Sequence, residues 1–368
     1  MIPVNRPLIE TDDIESVTKA LQETLISGET PPVREMERLL SLKTNSSQAV
    51  AVSSGTSAID LVTEALEIKP GDHCVVPDFT IISTVSNLLR KGARVEFIDS
   101  DPETWSIDSS AAVAAINQET KLVLPVHIYG LPADMDPILA SAAQHGSFVL
   151  EDSAEALGLD YKQRPCGSLG DASIFSFYAN KVVTGGEGGA ITTNNAVLAE
   201  RLRKLRNLAF SDERFVHHEL GWNYRISGLS AALIASQLAR LDELILKKKG
   251  IANRYRVGLK DHPWFDLMIE NTTYAENVYW VVPILLRNDS PFTAKSLQKS
   301  LKEIGIETRR FFCPMHLQPL VDNYNVVLNG DYKISENLWE RGLYLPSGLG
   351  NSTAEIDEVI TKIWDLVK

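Results

Sequence analysis

The chain has 368 residues, 44% of them apolar, enough to bury a large core and to form two domains, or one large domain with a smaller one attached. A net charge of −12, from 36 basic and 48 acidic residues, argues against nucleic acid as the main partner, and no apolar run reaches the roughly 18 residues of a membrane span. Cys74, Cys166 and Cys313 are far apart with no CxxC spacing, and the seven histidines include no HExxH, so neither a disulfide framework nor a metal site is expected.

The first residues, Met1-Ile-Pro-Val-Asn-Arg6, lack the basic and apolar regions of a signal peptide, and a reducing, cytoplasmic setting is expected. From there short apolar strands alternate with helical patterns, which predicts an α/β fold with a mainly parallel sheet of seven strands. The candidates are Ala49–Ser53, Cys74–Pro77, Val95–Asp99, Leu122–Val126, Phe148–Asp152, Ser173–Phe177 and Gly189–Thr192. Between them, Ser57–Glu67 and Ile138–His145 space their apolar residues three and four apart, as helices do. Leu229 to about Lys249 reads as one long helix linking two domains. Beyond it Val278–Leu286 reads as a strand, Thr293–Ile304 as a helix, and Ala354–Val367 as a terminal helix capped by Ser352 or Thr353. The expected division is an N-terminal arm with a large domain over residues 1-240, and a smaller α+β domain over 241-368.

Three motifs carry chemistry. Val52-Ser-Ser-Gly-Thr-Ser-Ala58 lies where a strand ends and a helix begins. Free N–H groups and the positive helix end make such a turn an anion cradle, and Gly55 lets the backbone approach a phosphate. Alone, the pattern is equally an ordinary N-cap, and no GK[ST] follows to make it a Walker loop. Leu150-Glu-Asp-Ser-Ala-Glu-Ala-Leu-Gly158 closes an apolar strand with Asp152. Ligands of open parallel sheets bind beyond that end, where a carboxylate can keep a pyridine nitrogen protonated or simply cap a helix. Ser173-Ile-Phe-Ser-Phe-Tyr-Ala-Asn-Lys181 then leads into a glycine-rich run ending at Gly189. Lysine resists burial because its charge loses solvation. One held in a pocket can shed its proton and attack an aldehyde, the way pyridoxal phosphate (PLP) is anchored. A lone lysine is more often a solvated surface group. The three motifs in this order, all at strand ends, read together as a phosphate cradle, a pyridinium partner and a Schiff-base lysine.

Ordered motifs over nearly the whole chain resemble the DegT/DnrJ/EryC1/StrS family, fold-type I PLP aminotransferases acting on nucleotide-linked keto-sugars. They are Ser-Gly-Thr-Ser-Ala at 54–58, Pro-Asp-Phe-Thr at 77–80, Val-His-Ile-Tyr-Gly at 126–130, Glu-Asp-Ser-Ala-Glu-Ala at 151–156, Gly-Asp-Ala-Ser at 170–173, Phe-Ser-Phe at 175–177, Gly-Glu-Gly-Gly at 186–189 and Gly-Trp-Asn-Tyr-Arg at 221–225. The resemblance implies that Lys181 carries the cofactor and moves the substrate proton, and that Asp152 pairs with the pyridine nitrogen. It places Glu155 near the ring hydroxyl, and Ser54, Gly55, Thr56 and Ser176 around the phosphate. Asn223 would reach the phosphate of the other subunit, which implies a homodimer with shared sites. The family often has an aromatic ring where this chain has Ile81; an aliphatic side chain still covers the cofactor ring, with a loss of about 1 kcal/mol of stacking.

The segments Gly305–Pro319, Tyr279-Trp280 and Tyr344–Gly348 look most like the branch that aminates C4 of GDP-4-keto-6-deoxymannose from L-glutamate to give GDP-perosamine, a building block of surface glycans such as O-antigen. Arg309, Arg310 and His316 are its candidate contacts to the sugar diphosphate. Ser27-Gly-Glu-Thr-Pro-Pro-Val-Arg34 departs from the family's glycine-rich version, at a wall of the expected pocket. UDP- or dTDP-linked sugars and amination at C3 stay open. So do a sugar dehydratase of the same fold, which has histidine in place of the lysine, and a non-catalytic regulator, which has no need of Lys181 or Asp152.

Overall fold

A computed structural model describes residues 1–213 and 215–367. Its large sheet contains β1 (Gln48–Val52), β2 (His73–Pro77), β3 (Arg94–Ile98), β4 (Thr120–Val123) and β5 (Phe148–Asp152). A two-residue ladder follows, β6 (Asp160–Tyr161) with β7 (Arg164–Pro165), and the large sheet resumes with β8 (Ala172–Ser176) and β9 (Gly189–Thr193). β2 and β9 are buried along their whole length, as strands of a sheet covered by helices on both faces are.

A smaller sheet is formed by β10 (Phe265–Leu267), β11 (Val282–Leu286), β12 (Arg309–Arg310) and β14 (Gly342–Leu345). Between the last two, β13 (Val326–Val327) returns to the large sheet and pairs with β3. The large sheet thus has eight strands, in the order β1-β9-β8-β5-β4-β2-β3-β13, with the seven expected strands joined by this short edge. All pairs are parallel except those of β9, which runs against both β1 and β8. The order reverses between β2 and β4, and an open sheet has its ligand crevice at the strand ends beside such a switch.

Around the small sheet a separate apolar cluster gathers Ile251, Tyr255, Phe265, Ile284, Leu301, Leu345 and Val359. Ile2 bridges in parallel to Ile306, so the N-terminal end of the chain is tied to this half.

Two expectations are corrected. The single helix over 229–249 is two, Gly228–Ala239 and Leu241–Gly258, broken at Arg240 (φ −114°, ψ 26°). The Arg240 guanidinium pairs there with Asp13 at 2.6 Å and with Glu10, while Gln237 donates to Asp13 at 3.2 Å and to the Leu8 carbonyl at 3.0 Å. These contacts draw both side chains toward the N-terminal arm at the break. The strand expected from Val278 begins only at Val282, because Tyr279 takes a left-handed φ of 56° with its N–H donating to the Asn277 side chain at 2.7 Å. Among the described residues no helix is long and apolar enough to cross a membrane.

Candidate active site

The ends of β1, β2, β5 and β8 open on one cavity of about 420 Å³, roofed by side chains from the small-sheet half. At β1, Ser54 starts the helix Gly55–Ala65 two residues earlier than its apolar spacing suggests. Ser54 Oγ accepts from Ser57 N at 3.0 Å, and Ser57 Oγ accepts from Ser54 N at 2.9 Å. Ser54, Gly55 and Thr56 of this first turn line the cavity, and a helix start leaves N–H groups without intrahelical partners. The turn is tightly packed: a Cβ on Gly189 would fall 2.3 Å from the Ser54 carbonyl group, and one on Gly55 would fall 3.1 Å from Ser176 Cβ.

Asp152 ends β5 with its side chain buried in the same cavity. It accepts from Ala154 N at 3.1 Å and from Thr84 Oγ1 at 3.1 Å. Burial raises its pKa, opposed by the Ala154 hydrogen bond, the charge of Lys181 and the Thr84 hydroxyl. Three residues on, Glu155 accepts from Tyr129 N at 2.8 Å, and Tyr129 adopts a left-handed φ of 53° to present that N–H.

Lys181 Nζ lies 3.7 Å from Glu155 Oε1 and 3.9 Å from the centre of the Trp280 ring. The Trp280 Nε1–H donates to the Asn180 carbonyl at 3.0 Å, which bolts the indole to the loop that carries the lysine. Burial pulls the Lys181 pKa down and the Glu155 pKa up, while attraction between the two opposes both shifts. The amine is therefore closer to its neutral, nucleophilic form than a surface lysine is.

Of the residues expected at the site, Ser54, Gly55, Thr56, Ile81, Asp152, Glu155, Ser176, Lys181, Arg309 and Arg310 line the cavity. Ile81 is 48% exposed, an aliphatic surface at the mouth. Asn223, expected at the site of the other subunit, is exposed outside this cavity and bridges to Asn207. One is not brought there. His316 is turned away: its Nδ1 meets Asp78 at 2.8 Å, its Nε2 meets Glu336 at 3.2 Å, and its ring stacks on Tyr332. With both ring nitrogens on carboxylates, His316 ties the segment after β12 to the end of β2.

The contact partners Thr84 and Trp280 were not anticipated. Thr84 lies in the first turn of the helix Ser83–Arg90, just past β2, so its nearness to a strand end was the available signal.

The model of the DegT/DnrJ/EryC1/StrS aminotransferase family matches residues 7–364, almost the entire chain. The chain belongs to this family. It is 34% identical over 363 residues to the GDP-perosamine synthase of Caulobacter vibrioides, covering 98% of this chain and 97% of that one. It is 33% identical to the putative pyridoxal phosphate-dependent aminotransferase EpsN of Bacillus subtilis, over 94% of this chain and 90% of that one. Among solved structures it superposes on a DegT DnrJ EryC1 StrS aminotransferase from Brucella abortus with a TM-score of 0.88 and 29% identity, covering 97% and 96% of the two chains.

The protein is thus a PLP-dependent sugar aminotransferase with a mainly parallel α/β fold. The cavity fits the cofactor. It offers a buried amine, a buried carboxylate and a helix N-terminus, where Gly55 leaves the backbone bare for a phosphate to come close, and Gly189 lets β9 pack against that turn.

Proposed function

We propose that the protein transfers an amino group from L-glutamate to C4 of a nucleotide-linked 4-keto-6-deoxy sugar. GDP-4-keto-6-deoxymannose is the favoured acceptor and GDP-perosamine the product. The observation that carries aminotransfer is the Lys181 amine, buried beside Glu155 in the cavity that also holds Asp152. The choice of sugar rests on the full-length likeness to the Caulobacter enzyme.

In this reading the cofactor supplies an electron sink for the charge left when a proton leaves the substrate carbon. The chain's own groups do the rest. Lys181 would anchor the cofactor aldehyde and, once released from it, would carry the proton between the substrate carbon and the cofactor C4′. Glu155 would balance its charge and lie toward the ring hydroxyl. Asp152, aligned by Thr84 and Ala154, would hold the ring nitrogen protonated. Ser54, Gly55, Thr56 and Ser176 would receive the phosphate, and Ile81 would cover the ring. Arg309 and Arg310 would serve the sugar diphosphate.

We take Asn223, exposed outside its own cavity, to complete the site of a second copy, as the family resemblance implies, and the working form to be a cytoplasmic homodimer serving surface-glycan synthesis. Lys181 argues against the sugar dehydratase, which has histidine there.

The test is the visible spectrum of the PLP-loaded protein as L-glutamate and then GDP-4-keto-6-deoxymannose are added. Loss of the cofactor band with glutamate and its return with the sugar is the expected result. A band lost and not restored rejects this sugar in favour of UDP- or dTDP-linked ketones. No response to glutamate rejects that donor.

A further inference from the structure

Both proposed substrates are anions: L-glutamate has two carboxylates, and a nucleotide-linked sugar has a diphosphate. The chain itself is at −12, so each must find local positive charge. Among the described residues, three cationic side chains line the cavity: Lys181, Arg309 and Arg310. Lys181 is engaged by Glu155 and Trp280 and, in the reading above, by the cofactor. Arg310 is engaged as well. Its guanidinium donates to the Trp339 carbonyl at 2.7 Å and lies 5.1 Å from the Trp339 ring centre.

Arg309 differs. It is the neighbouring residue on the same two-residue strand, so its side chain leaves the opposite face of β12. It is exposed, it lies opposite Tyr344 in the β12–β14 register, and among the described residues no carboxylate forms an ion pair with it. Arg309 also lines a second, adjoining groove of about 680 Å³, together with Lys295, Lys299 and Lys302 against the single acid Glu307. A long anionic ligand leaving the cavity past Arg309 would therefore continue along a wall with more cations than anions, which a ligand as short as glutamate would not reach.

We propose that Arg309 is the shared anion handle of the two half-reactions. It binds a carboxylate of L-glutamate in the first and, once 2-oxoglutarate has left, a phosphate of the nucleotide sugar in the second. This rests on the aminotransferase reading above and adds one consequence: the two ligands compete for one guanidinium. A planar fork that pairs with either carboxylate or phosphate is suited to that double use.

The test follows each half-reaction separately in PLP-loaded wild type, Arg309→Met and Arg309→Lys, by stopped-flow absorbance. GDP serves as the competing nucleoside diphosphate. Arg309 is exposed on a short strand, so the variants should fold, and an unchanged cofactor spectrum and Tm verify this.

In Arg309→Met the half-saturating concentrations of glutamate and of sugar nucleotide should both rise about tenfold or more, the loss expected for a charged hydrogen bond. Arg309→Lys should raise both by less. GDP should compete with glutamate in wild type and lose that competition in Arg309→Met. An effect on only one half-reaction, or GDP that does not compete with glutamate, overturns the shared handle. A wild type that does not respond to glutamate at all overturns the donor in the underlying reading instead, so the two failures are distinguishable.

Discussion

Replacing Gly189 with alanine tests whether the turn after β1 is the phosphate cradle. Gly189 opens β9 opposite Val52, and its missing side chain is what lets β9 lie against the Ser54–Gly55 peptide. A Cβ there would sit 2.3 Å from the Ser54 carbonyl carbon and oxygen and 2.6 Å from Gly55 N, well inside ordinary contact. All three atoms are backbone, so no side chain can swing aside. The strain should fall near the upper end of the usual overpacking range, about 3 kcal/mol. Relief requires the first turn of the helix Gly55–Ala65 to move outward, taking its N–H groups with it. Loss of one or two charge-assisted hydrogen bonds to a phosphate, each worth about 1.5–3 kcal/mol, should weaken PLP binding about tenfold to ten-thousandfold. The control is Gly71→Ala, at φ 88° with no heavy atom within 4 Å of its would-be Cβ, which should cost about 1–2 kcal/mol of backbone strain and leave cofactor affinity unchanged. Absorbance titration of each apoprotein with PLP, beside urea unfolding, measures both quantities. If Gly189→Ala bound PLP within about twofold of wild type while losing stability, the cradle would lie elsewhere.

Asp152→Asn keeps the shape of the side chain and its acceptor for Ala154 N, turns the oxygen facing Thr84 Oγ1 into a donor to that hydroxyl, and removes the charge facing the cavity, so turnover should fall about 10²–10³-fold with the protein still folded; steady-state rates within tenfold of wild type would contradict the pyridinium role. Glu151→Gln should cost about 3–5 kcal/mol in urea unfolding, because Glu151 is fully buried, accepts from the N–H groups of Gly167, Leu169 and Gly170 at 3.0, 2.7 and 2.8 Å, and meets His127 Nε2 at 3.1 Å. An amide would aim its own donors at some of these, and a cost below about 1 kcal/mol would mean that the clamp does not need its charge. Lys248 is buried with its amine donating to the Ser347 carbonyl, and burial pulls its pKa down to about 7. The unfolded chain, with a lysine near 10.4, then binds the extra proton between about pH 7 and 10, so stability should rise with pH across that window by up to about 1.4 kcal/mol per unit. Lys248→Met should remove that part of the rise, and identical slopes in the two proteins would contradict it.

Much of the site was legible because its residues lie at the ends of apolar strands. Asp152, Ser176 and the Ser54–Thr56 turn each follow directly on a run that only a buried strand explains, and parallel strands bring such ends to one edge. Lys181 was legible for a different reason, as a cation set among aromatic and glycine residues that a solvated lysine does not need. The rest depended on contacts distant along the chain. Trp280 reaches Lys181 from the segment leading into β11, and the Arg240 break answers to Asp13 and Glu10, more than two hundred residues earlier. Neither meeting leaves a local pattern to read.

His316 marks the same boundary. By composition, a histidine just after two arginines reads as part of an anion site, and nothing local says otherwise. What reassigns it is Asp78, 238 residues away and buried at the end of β2, which takes both His316 N and its ring Nδ1 at 2.8 Å. The pair fastens the chain after β12 onto the large sheet, and on that same stretch Arg309, Arg310 and Phe312 form the roof of the cavity. His316 therefore acts on the site through the backbone it anchors. Its loss should loosen the roof as a whole rather than delete one substrate contact.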